Sequence, residues 1–223
     1  MPTPNESLVL DHLYRPANSS GPHAAPALFL LHGYGSHKDD LFSFANYLPS
    51  HFGVVALNAP FPLPFGGFAW YALEFTAQME RLSNWEQARE SLRLLKWNID
   101  HFCKRYTLDS KNVTLMGFSQ GAILSWALGL DAPDTVHHVI GLSGAIDQEL
   151  LKNPIDTYRN VTAFASHGTG DATIPVAYPR KTIGVLQQNN PKVAYKEYPA
   201  GHTIHQDNFS DMLQWLNVYL AEG

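Results

Sequence analysis

The 223-residue chain has a single cysteine, Cys103, and few charged residues. One cysteine excludes an intrachain disulfide, and such a residue most often serves as a small buried hydrophobe. Charged residues make up 16% of the chain, the formal net charge is −5, and lysine and arginine form no cluster. Neither a nucleic acid nor an anionic membrane surface is therefore expected as the main partner.

The sequence also lacks the patterns of targeting and membrane-spanning segments. Residues 1–6 contain no basic region followed by an apolar one, so no signal peptide is predicted. No apolar run approaches the roughly 20 residues that a membrane-spanning helix needs. From these absences we expect a soluble, cytoplasmic protein.

Spacings typical of metal or nucleotide binding are missing as well. The histidines and the cysteine form no His-x-x-x-His or Cys-x-x-Cys pattern, which argues against a metal site. Gly33-Tyr34-Gly35 and Gly168-Thr169-Gly170 are isolated pairs of glycines, and neither is followed by the third glycine of a dinucleotide-binding loop. The sequence therefore predicts neither a metal ion nor a bound nucleotide.

Hydrophobic residues account for 45% of the chain, a proportion typical of a globular protein with a substantial core. At this length we predict one domain, 1–223. Apolar runs alternate with amphipathic segments, which predicts an α/β fold with a mostly parallel central sheet, helices on both faces and no large separate cap domain. The predicted strands are residues 7–14 at an edge, then 27–31, 53–57, 113–116, 136–142, 161–165 and 193–198.

Three segments between these strands carry more specific predictions. An acidic first turn begins a predicted helix over 39–48. Residues 83–86 match a capping box, so Ser83 is predicted to cap a long amphipathic helix that ends near Tyr106. Residues 61–81, which lie between these two predicted helices, contain many aromatic side chains among prolines and glycines. We expect them to form an irregular excursion over the end of the sheet.

The most informative stretch is Gly117-Phe118-Ser119-Gln120-Gly121, which lies between a predicted strand and a predicted helix. In this Gly-x-Ser-x-Gly setting a serine occupies a strained turn with its hydroxyl exposed. The glycines allow the strand and the helix to approach closely, since they have no Cβ atom. A serine hydroxyl is a weak nucleophile until a base removes its proton, so Ser119 is a candidate nucleophile that needs a histidine and an acid.

Two further polar residues follow predicted strands. Asp171 lies in a glycine-containing loop after one strand, and His202 follows Gly201 after the next. Because the carboxyl ends of parallel strands meet at one edge of a sheet, Ser119, Asp171 and His202 are expected to lie together. Their order along the chain, serine, then acid, then histidine, is that of α/β-hydrolases. The sequence therefore predicts a Ser-His-Asp catalytic triad.

Other residues compete for two of these roles. Asp147 follows the preceding strand and Asp207 lies close to His202 in sequence, so either could replace Asp171 as the acid. His205, three residues beyond His202, is the rival base. The glycines that precede Asp171 and His202 suit a loop site and favour the first assignment.

Catalysis at such a serine also needs donors for the negative charge that develops on the substrate carbonyl oxygen. One donor is predicted to be the backbone N–H of Gln120, the residue after the nucleophile. The second is predicted in the loop after His32-Gly33, most simply the backbone N–H of Tyr34.

Four segments resemble the phospholipase/carboxylesterase family, which includes the acyl-protein thioesterases and small bacterial carboxylesterases. They span nearly the whole chain and read Leu-His-Gly-Tyr-Gly (31–35), Gly-Phe-Ser-Gln-Gly-Ala (117–122), His-Gly-Thr-Gly-Asp-Ala-Thr-Ile-Pro (167–175) and Gly-His-Thr-Ile (201–204). The resemblance implies a compact α/β-hydrolase fold, no cofactor, and hydrolysis of carboxylic esters or thioesters. The family's nucleophile, acid and base carry over onto Ser119, Asp171 and His202.

The aromatic stretch 61–74 departs from the family's pattern, which has a Trp-Phe-Asp-like segment where this chain has a Trp-Tyr pair. We predict that aromatic side chains of this stretch line an apolar acyl pocket, and packing against the end of the sheet is the alternative. The residues assigned to the pocket are Phe65, Phe68, Trp70 and Tyr71.

Together these observations predict a serine esterase that hydrolyses small-molecule esters of small to medium acyl chains, with thioesters as a further option. Substrates with another acyl bond, such as a lactone, a sugar ester or a peptide, stay open, since specificity depends on pocket shape. A hydrolase-fold protein that binds a ligand without turning it over is the alternative from another class. The sequence does not determine the oligomeric state, and a homodimer stays open.

Overall fold

The computed structural model describes residues 8–18, 23–75 and 81–219. Along the chain it forms the strands β1 (His12–Arg15), β2 (Ala25–Leu31), β3 (Gly53–Leu57), β4 (Phe61–Pro62), β5 (Phe68–Ala69), β6 (Leu73–Phe75), β7 (Arg81–Ser83), β8 (Leu108–Phe118), β9 (His138–Leu142), β10 (Thr162–Gly168) and β11 (Val193–Tyr198). The helices are α1 (Lys38–Phe42), α2 (Trp85–Tyr106), α3 (Gln120–Asp131), α4 (Ala177–Gln187) and α5 (Gln206–Tyr219), with short 3₁₀ helices at Gln148–Leu150 and Ile155–Thr157.

Seven of these strands form one sheet in the order β1-β3-β2-β8-β9-β10-β11. The edge strand β1 is antiparallel to β3, and the other neighbours in this sheet are parallel. The predicted α/β fold with a mostly parallel sheet is therefore confirmed. Because the parallel strands share one direction, the loops that follow β2, β8, β10 and β11 leave the sheet at the same edge.

Side chains alternate between the two faces of the sheet, and helices cover both faces. On one face Phe29 of β2 belongs to a buried cluster with Phe102 of α2, Trp126 of α3 and residues of α4. On the other face Leu28 of β2 belongs to a cluster with Met212 of α5 and residues of α1. This double cover explains why the central strands read as continuous apolar runs.

The helix predicted over 39–48 is shorter than expected, since α1 ends at Phe42. The chain beyond α1 forms turns, and the Arg15 side chain of β1 satisfies several of their backbone groups. Its guanidinium donates hydrogen bonds to four carbonyl oxygens, those of Ala45, Leu48, Pro49 and Phe52. All four carbonyls lie in the last turn of the predicted helix or beyond it, and their donor lies 30 or more residues earlier in the chain.

The helix α2 ends at Tyr106 as predicted, but its N-cap is Asn84 and not Ser83. The Asn84 side-chain oxygen accepts a hydrogen bond from the Gln87 N–H at 3.0 Å. Ser83 is paired with Leu73 across the β6–β7 hairpin, so that residue belongs to the hairpin and the cap falls one residue later.

The aromatic stretch folds partly as short hairpins and not as a wholly irregular excursion. β4 pairs with β5 and β6 pairs with β7, in each case antiparallel. Residues 76–80, which belong to the same predicted excursion, lie outside the described residues.

Two predictions concern the chain as a whole. No helix within the described ranges is long and apolar enough to cross a membrane. That residues 1–223 form one domain stays a prediction.

Candidate active site

Ser119 lies at the junction of β8 and α3 in a backbone conformation that few residues other than glycine adopt. Its φ and ψ angles are 53° and −115°. A Cβ atom on Gly117 would lie 2.2 Å from the backbone of Gly121, and one on Gly121 would lie 2.0 Å from the carbonyl oxygen of Leu31. Glycine is therefore required at both positions, and the strained turn carries Ser119 at the start of α3.

The structure brings Ser119, His202 and Asp171 together in one hydrogen-bonded chain. The Ser119 Oγ atom lies 2.9 Å from His202 Nε2, and His202 Nδ1 lies 2.6 Å from Asp171 Oδ2. Ser119 and Asp171 are buried, and His202 is partly exposed. A hydroxyl, an imidazole and a carboxylate in this order can move a proton away from a serine as it attacks a carbonyl carbon.

Backbone donors hold the Asp171 carboxylate from its other side. Its Oδ1 atom accepts hydrogen bonds from the N–H groups of Thr173 and Ile174, each at 2.8 Å. Burial by itself raises the pKa of Asp171, but the hydrogen bonds from His202 and from the backbone outweigh it, and the pKa lies below its usual value. The carboxylate is therefore ionised at neutral pH and can stabilise a positively charged imidazole.

A second histidine, which the sequence analysis did not select, contacts the same carboxylate. His167, near the end of β10, has its Nε2 atom 3.1 Å from Asp171 Oδ2, and both side chains are fully buried. The same nitrogen lies 2.8 Å from the carbonyl oxygen of Ile174. The available signal was its place in the sequence, four residues before Asp171 at the carboxyl end of a strand.

The rival acids and the rival base lie in other settings. Asp147 caps a 3₁₀ helix and accepts a hydrogen bond from the backbone N–H two residues further on, at 3.1 Å. Asp207 and His205 contact one another, and the Asp207 N–H donates to His205 Nδ1 at 3.2 Å. Of the three candidate acids, Asp171 is the one that contacts His202.

The predicted oxyanion donors, Tyr34 and Gln120, both line a small cavity that also contains Ser119 and His202. Gln120 is the first residue of α3, so its N–H belongs to the positive end of that helix. Tyr34 lies in the loop after β2. Among the described residues no backbone carbonyl accepts a hydrogen bond from either N–H group, which leaves both groups able to bind a ligand.

Residues 70–71 link the two segments that carry these donors. The Gln120 side chain accepts a hydrogen bond from the Trp70 N–H at 3.1 Å and donates one to the Tyr71 carbonyl oxygen at 2.8 Å. The Trp70 indole N–H donates to the His32 carbonyl oxygen at 2.9 Å. The side chains of Trp70 and Gln120 therefore fix the turn at Ser119 and the loop after β2 in position relative to each other.

His32 stabilises that loop as a neutral imidazole. Its Nε2 atom accepts a hydrogen bond from the Ala59 N–H at 3.0 Å, and its Nδ1 atom donates to the Gly33 carbonyl oxygen at 2.7 Å. Burial lowers the pKa of His32 to about 4. The uncharged ring connects the loop after β2 with the segment after β3.

The four aromatic residues assigned to an acyl pocket are not brought together. Trp70 and Tyr71 are fully buried in the core, while Phe65 is 72% exposed. Phe68 lies in β5 and is partly buried against the core. None of these four is among the described residues that line the small cavity at Ser119 or the larger groove that adjoins it.

Two cavities meet beside the candidate triad. The smaller, with a volume of about 220 Å³, contains Ser119 and His202. The larger is an open groove of about 1050 Å³ that shares its inner wall with the smaller cavity. The shared wall consists of Ile123, Thr173 and Ile174. The rest of the groove is lined by residues that include Trp85, Ile146, Ala172, Pro175 and Tyr178. The groove could not be predicted from the sequence, because segments far apart in the chain form its walls.

In the part of the chain that the structure describes, neither a metal-binding cluster nor the cysteine provides a second reactive site. Within the described ranges no group of three or more histidine, cysteine, aspartate or glutamate side chains is arranged to hold a metal ion. Cys103 is buried in the core, and burial, assisted by nearby carboxylates, raises the pKa of its thiol to about 12. Such a thiol stays protonated and is a poor nucleophile.

Comparisons with known proteins place this chain among ester hydrolases. The family model described as Phospholipase/Carboxylesterase matches residues 17–220. Acyl-protein thioesterase 1 of Mycosarcoma maydis is 25% identical over 228 aligned positions, which cover 88% of this chain and 92% of the relative. Acyl-protein thioesterase 1 of Yarrowia lipolytica is 26% identical, with 75% of this chain and 74% of the relative covered.

Solved structures show the same fold. The crystal structure of esterase PE8 superposes with a TM-score of 0.79 at 24% identity and covers 94% of this chain and 98% of that one. The carboxylesterase of Bacillus cereus superposes with a TM-score of 0.77 at 18% identity, and 93% of each chain is covered. Because both identities are below 25%, the superpositions show a shared fold only. Membership of the family rests on the match to the family model.

Proposed function

The chain belongs to the phospholipase/carboxylesterase family of ester-hydrolysing enzymes, and we propose that it cleaves its substrates through an acyl-enzyme on Ser119. The observation that carries this proposal is the hydrogen-bonded chain from Ser119 through His202 to Asp171, at 2.9 Å and 2.6 Å. A strained serine, a contacting imidazole and an ionised carboxylate supply a nucleophile, a base and an orienting group.

The reaction proceeds in two halves. His202 Nε2 accepts the hydroxyl proton of Ser119 while Oγ attacks the carbonyl carbon, and Asp171 stabilises the imidazolium that forms. The N–H groups of Tyr34 and Gln120 donate hydrogen bonds to the oxyanion. The imidazolium then protonates the leaving group, and a water molecule activated by the same histidine hydrolyses the acyl-enzyme.

We assign the leaving group to the smaller cavity and the acyl chain to the groove. His202 must reach the leaving atom to protonate it, and His202 lines the smaller cavity. The groove starts at the shared wall of Ile123, Thr173 and Ile174, and its described lining does not include His202. The apolar part of its lining, which includes Trp85 and Ile146, suits a hydrocarbon chain, and Ser83, Asn84, Asp147 and Thr182 add polar groups to the same walls.

Carboxylic esters of small to medium acyl chains are the substrates that we propose, with thioesters of the same acyl groups as the second candidate. The groove volume of about 1050 Å³ supports an acyl group of this size. The thioester candidate is favoured by the two curated relatives, both named acyl-protein thioesterase 1. The cytoplasmic location stays a prediction.

The proposed nucleophile is tested by incubating the protein with a fluorophosphonate, followed by intact-mass spectrometry and peptide mapping. We expect one adduct, on Ser119, which is lost in His202→Ala. The matched control is His205→Ala, which removes the neighbouring rival base and should keep the adduct. A folded wild-type protein without an adduct, or an adduct that survives His202→Ala and disappears in His205→Ala, contradicts the proposal.

The proposed acyl site is tested with p-nitrophenyl acetate, butyrate and octanoate. Ala172 lines the groove with an exposed side chain, so Ala172→Trp narrows the groove without disturbing the core. We expect this variant to lose activity on octanoate more than on acetate. An unchanged chain-length profile in Ala172→Trp, together with a changed one in Phe65→Ala, would move the acyl site to the aromatic stretch.

A further inference from the structure

The smaller cavity beside Ser119, to which the leaving group is assigned, is lined by a carboxylate that takes no part in the mechanism above. This carboxylate belongs to Asp40 of α1, which lines the cavity together with Ser36. The Ser36 hydroxyl donates a hydrogen bond to Asp40 Oδ2 at 2.7 Å. The backbone of Ser36 is itself held in place, since its carbonyl oxygen accepts a hydrogen bond from the Phe68 N–H at 2.8 Å. Ser36 therefore anchors the carboxylate at the wall of the cavity.

No basic side chain within the described ranges neutralises Asp40, whereas its acidic neighbours have such partners. Asp11 is paired with Lys38 at 2.6 Å, and Asp39 contacts His37 at 3.1 Å. In the same part of the chain, the side-chain hydrogen bond that Asp40 accepts comes from a neutral hydroxyl. Among the described residues that line the smaller cavity and the groove, none is a lysine or an arginine. The negative charge of Asp40 therefore acts on a group that occupies the cavity.

Two aromatic residues also belong to the lining of the smaller cavity. They are Tyr34 and Phe118, and the Phe118 ring lies 5.0 Å from the His202 ring, measured between centroids. The face of an aromatic ring carries partial negative charge and attracts an ammonium group, and aromatic side chains commonly bind quaternary ammonium ligands. A carboxylate and aromatic residues around one small cavity are therefore suited to an organic cation.

We propose that Asp40 is a specificity-determining residue, and that this esterase prefers esters whose leaving alcohol carries an ammonium group over esters of an uncharged alcohol of the same shape. The proposal rests on the proposed function, which assigns the smaller cavity to the leaving group. Asp40 is exposed, so water and salt screen its charge. An exposed charge and aromatic contacts together should give a preference of about 10-fold.

A purely structural role for Asp40 is the alternative, because this residue lies in the first turn of α1, where a carboxylate stabilises the positive end of a helix. Asp39 lies in the same turn and is also exposed, but it is not among the described residues that line the cavity. Replacing either acid removes a charge from the same turn, whereas replacing Asp40 also removes the charge from the cavity. Asp39→Asn is therefore the matched control for Asp40→Asn.

The kinetic test compares butyrylcholine with 3,3-dimethylbutyl butyrate, an ester of the same shape that has a carbon atom in place of the quaternary nitrogen. In wild type we expect kcat/KM for the cationic ester to exceed that for the neutral ester by about 10-fold. In Asp40→Asn, whose amide oxygen can still accept from Ser36, this ratio should fall roughly 3- to 5-fold. Asp39→Asn should keep the wild-type ratio. A wild-type ratio near one, an unchanged ratio in Asp40→Asn, or an equal fall in both variants would overturn the proposal.

A binding measurement separates this proposal from the proposed function. In Ser119→Ala, which cannot form an acyl-enzyme, we expect NMR titration to show tighter binding of butyrylcholine than of its neutral isostere. Equal binding of the two esters, or tighter binding of the neutral one, overturns the preference for a cation, and this readout needs no turnover. The fluorophosphonate adduct on Ser119 of the wild type reports the proposed function and involves no cationic leaving group, so failure of one is distinct from failure of the other.

Discussion

The two sides of the Ser119 hydroxyl are built from different kinds of atoms. On one side the acting groups are the side chains of His202 and Asp171, and backbone N–H groups help to hold the carboxylate. On the other side the proposed donors are the backbone N–H groups of Tyr34 and Gln120, and side chains behind them hold the backbone in place. A substitution can remove a reacting side chain on the first side. On the second side the backbone N–H groups remain, and a substitution can only remove the side chains that hold them in position. The two sides should therefore respond to mutation with effects of different size.

The largest effect is expected on the side-chain half, in Asp171→Asn. The amide cannot orient the histidine in the required tautomer or stabilise the imidazolium, so kcat should fall by roughly 10⁴. The variant should still fold, because an amide oxygen can accept the hydrogen bonds that Thr173 and Ile174 donate. Steady-state kinetics and circular dichroism of the purified variant check both parts.

The matched control for Asp171→Asn is Asp207→Asn, which changes the rival acid near His205. Asp207 is exposed and contacts His205 and not His202, so its replacement should leave kcat close to wild type. If Asp171→Asn kept a tenth or more of the wild-type activity while Asp207→Asn lost it, the acid would have been assigned to the wrong residue.

The same division explains which parts of the site could be predicted from the sequence. Ser119, Asp171 and His202 could be found because each is a reactive side chain that follows a strand, and both properties are visible in the sequence. The contacts behind the backbone donors join residues 32, 70 and 120, which meet only in the folded chain. His167 escaped notice for a similar reason, since its direction and burial depend on the turn at 171–174.

A smaller effect is expected on the backbone half, in Gln120→Ala. The proposed N–H donor of residue 120 remains, but the Trp70 N–H and the Tyr71 carbonyl oxygen lose their partner. Deleting an oxyanion donor outright costs about 10²–10³ in kcat, so loosening one should cost roughly 10- to 100-fold. Stability should fall by about 2 kcal/mol, since two buried hydrogen bonds are lost.

Gln120→Glu is the contrasting variant for this prediction. Its carboxylate still accepts from the Trp70 N–H, but the charge is buried against the Tyr71 carbonyl oxygen and beside the proposed oxyanion site, so its activity and urea midpoint should fall below those of Gln120→Ala. Wild-type kinetics in a destabilised Gln120→Ala variant would show that the side chain contributes to folding alone. The two sides of the site would then not differ in the way proposed.

In the fold, too, the features set by neighbouring residues could be predicted from the sequence, and those set by residues far apart in the chain could not. Continuous apolar runs located the strands of the sheet, and the predictions for 53–57 and 193–198 match β3 and β11 to the residue. The turns that follow α1 receive hydrogen bonds from Arg15, 30 or more residues away. Trp70 is buried and Phe65 is exposed, although both lie in one aromatic stretch. Aromatic character alone does not distinguish a core side chain from a surface one.

A still smaller effect on kcat is expected in Trp70→Phe, which removes the indole N–H that donates to the His32 carbonyl oxygen. The free energy of unfolding should fall by about 2–3 kcal/mol, because the variant loses one hydrogen bond and leaves a cavity at a fully buried position. The fall in kcat should be smaller than in Gln120→Ala, because both bonds from the Gln120 side chain stay in place. Phe65→Ala, at an exposed position of the same stretch, should change stability by less than about 0.5 kcal/mol. Equal effects of the two substitutions would contradict the supporting role given to Trp70.

The smallest effect is a difference in acid sensitivity between the two sides. Burial lowers the pKa of His32, on the backbone side, from its ordinary 6.5 to about 4. As the pH falls through 6.5 the unfolded chain binds a proton there that the folded chain does not, so stability is lost between pH 6.5 and 4. The pKa of Asp171, on the side-chain half, is lowered although burial opposes the shift. Its contribution is present above the unfolded pKa of about 3.9 and is lost only as the pH falls below that value.

Acid should therefore weaken the backbone side first. Urea unfolding at pH 7 and pH 6 measures this, and His32 should account for about 0.7 kcal/mol of the loss in wild type. Burial also lowers the pKa of His138 in β9 to about 4, so His138 also reduces the free energy of unfolding as the pH falls over the same range. The comparison of wild type with His32→Gln isolates His32, and the variant should show the weaker pH dependence. Equal pH dependence in the two proteins would mean that folding leaves the pKa of His32 unchanged, and that the backbone side is no more sensitive to acid than the side-chain half.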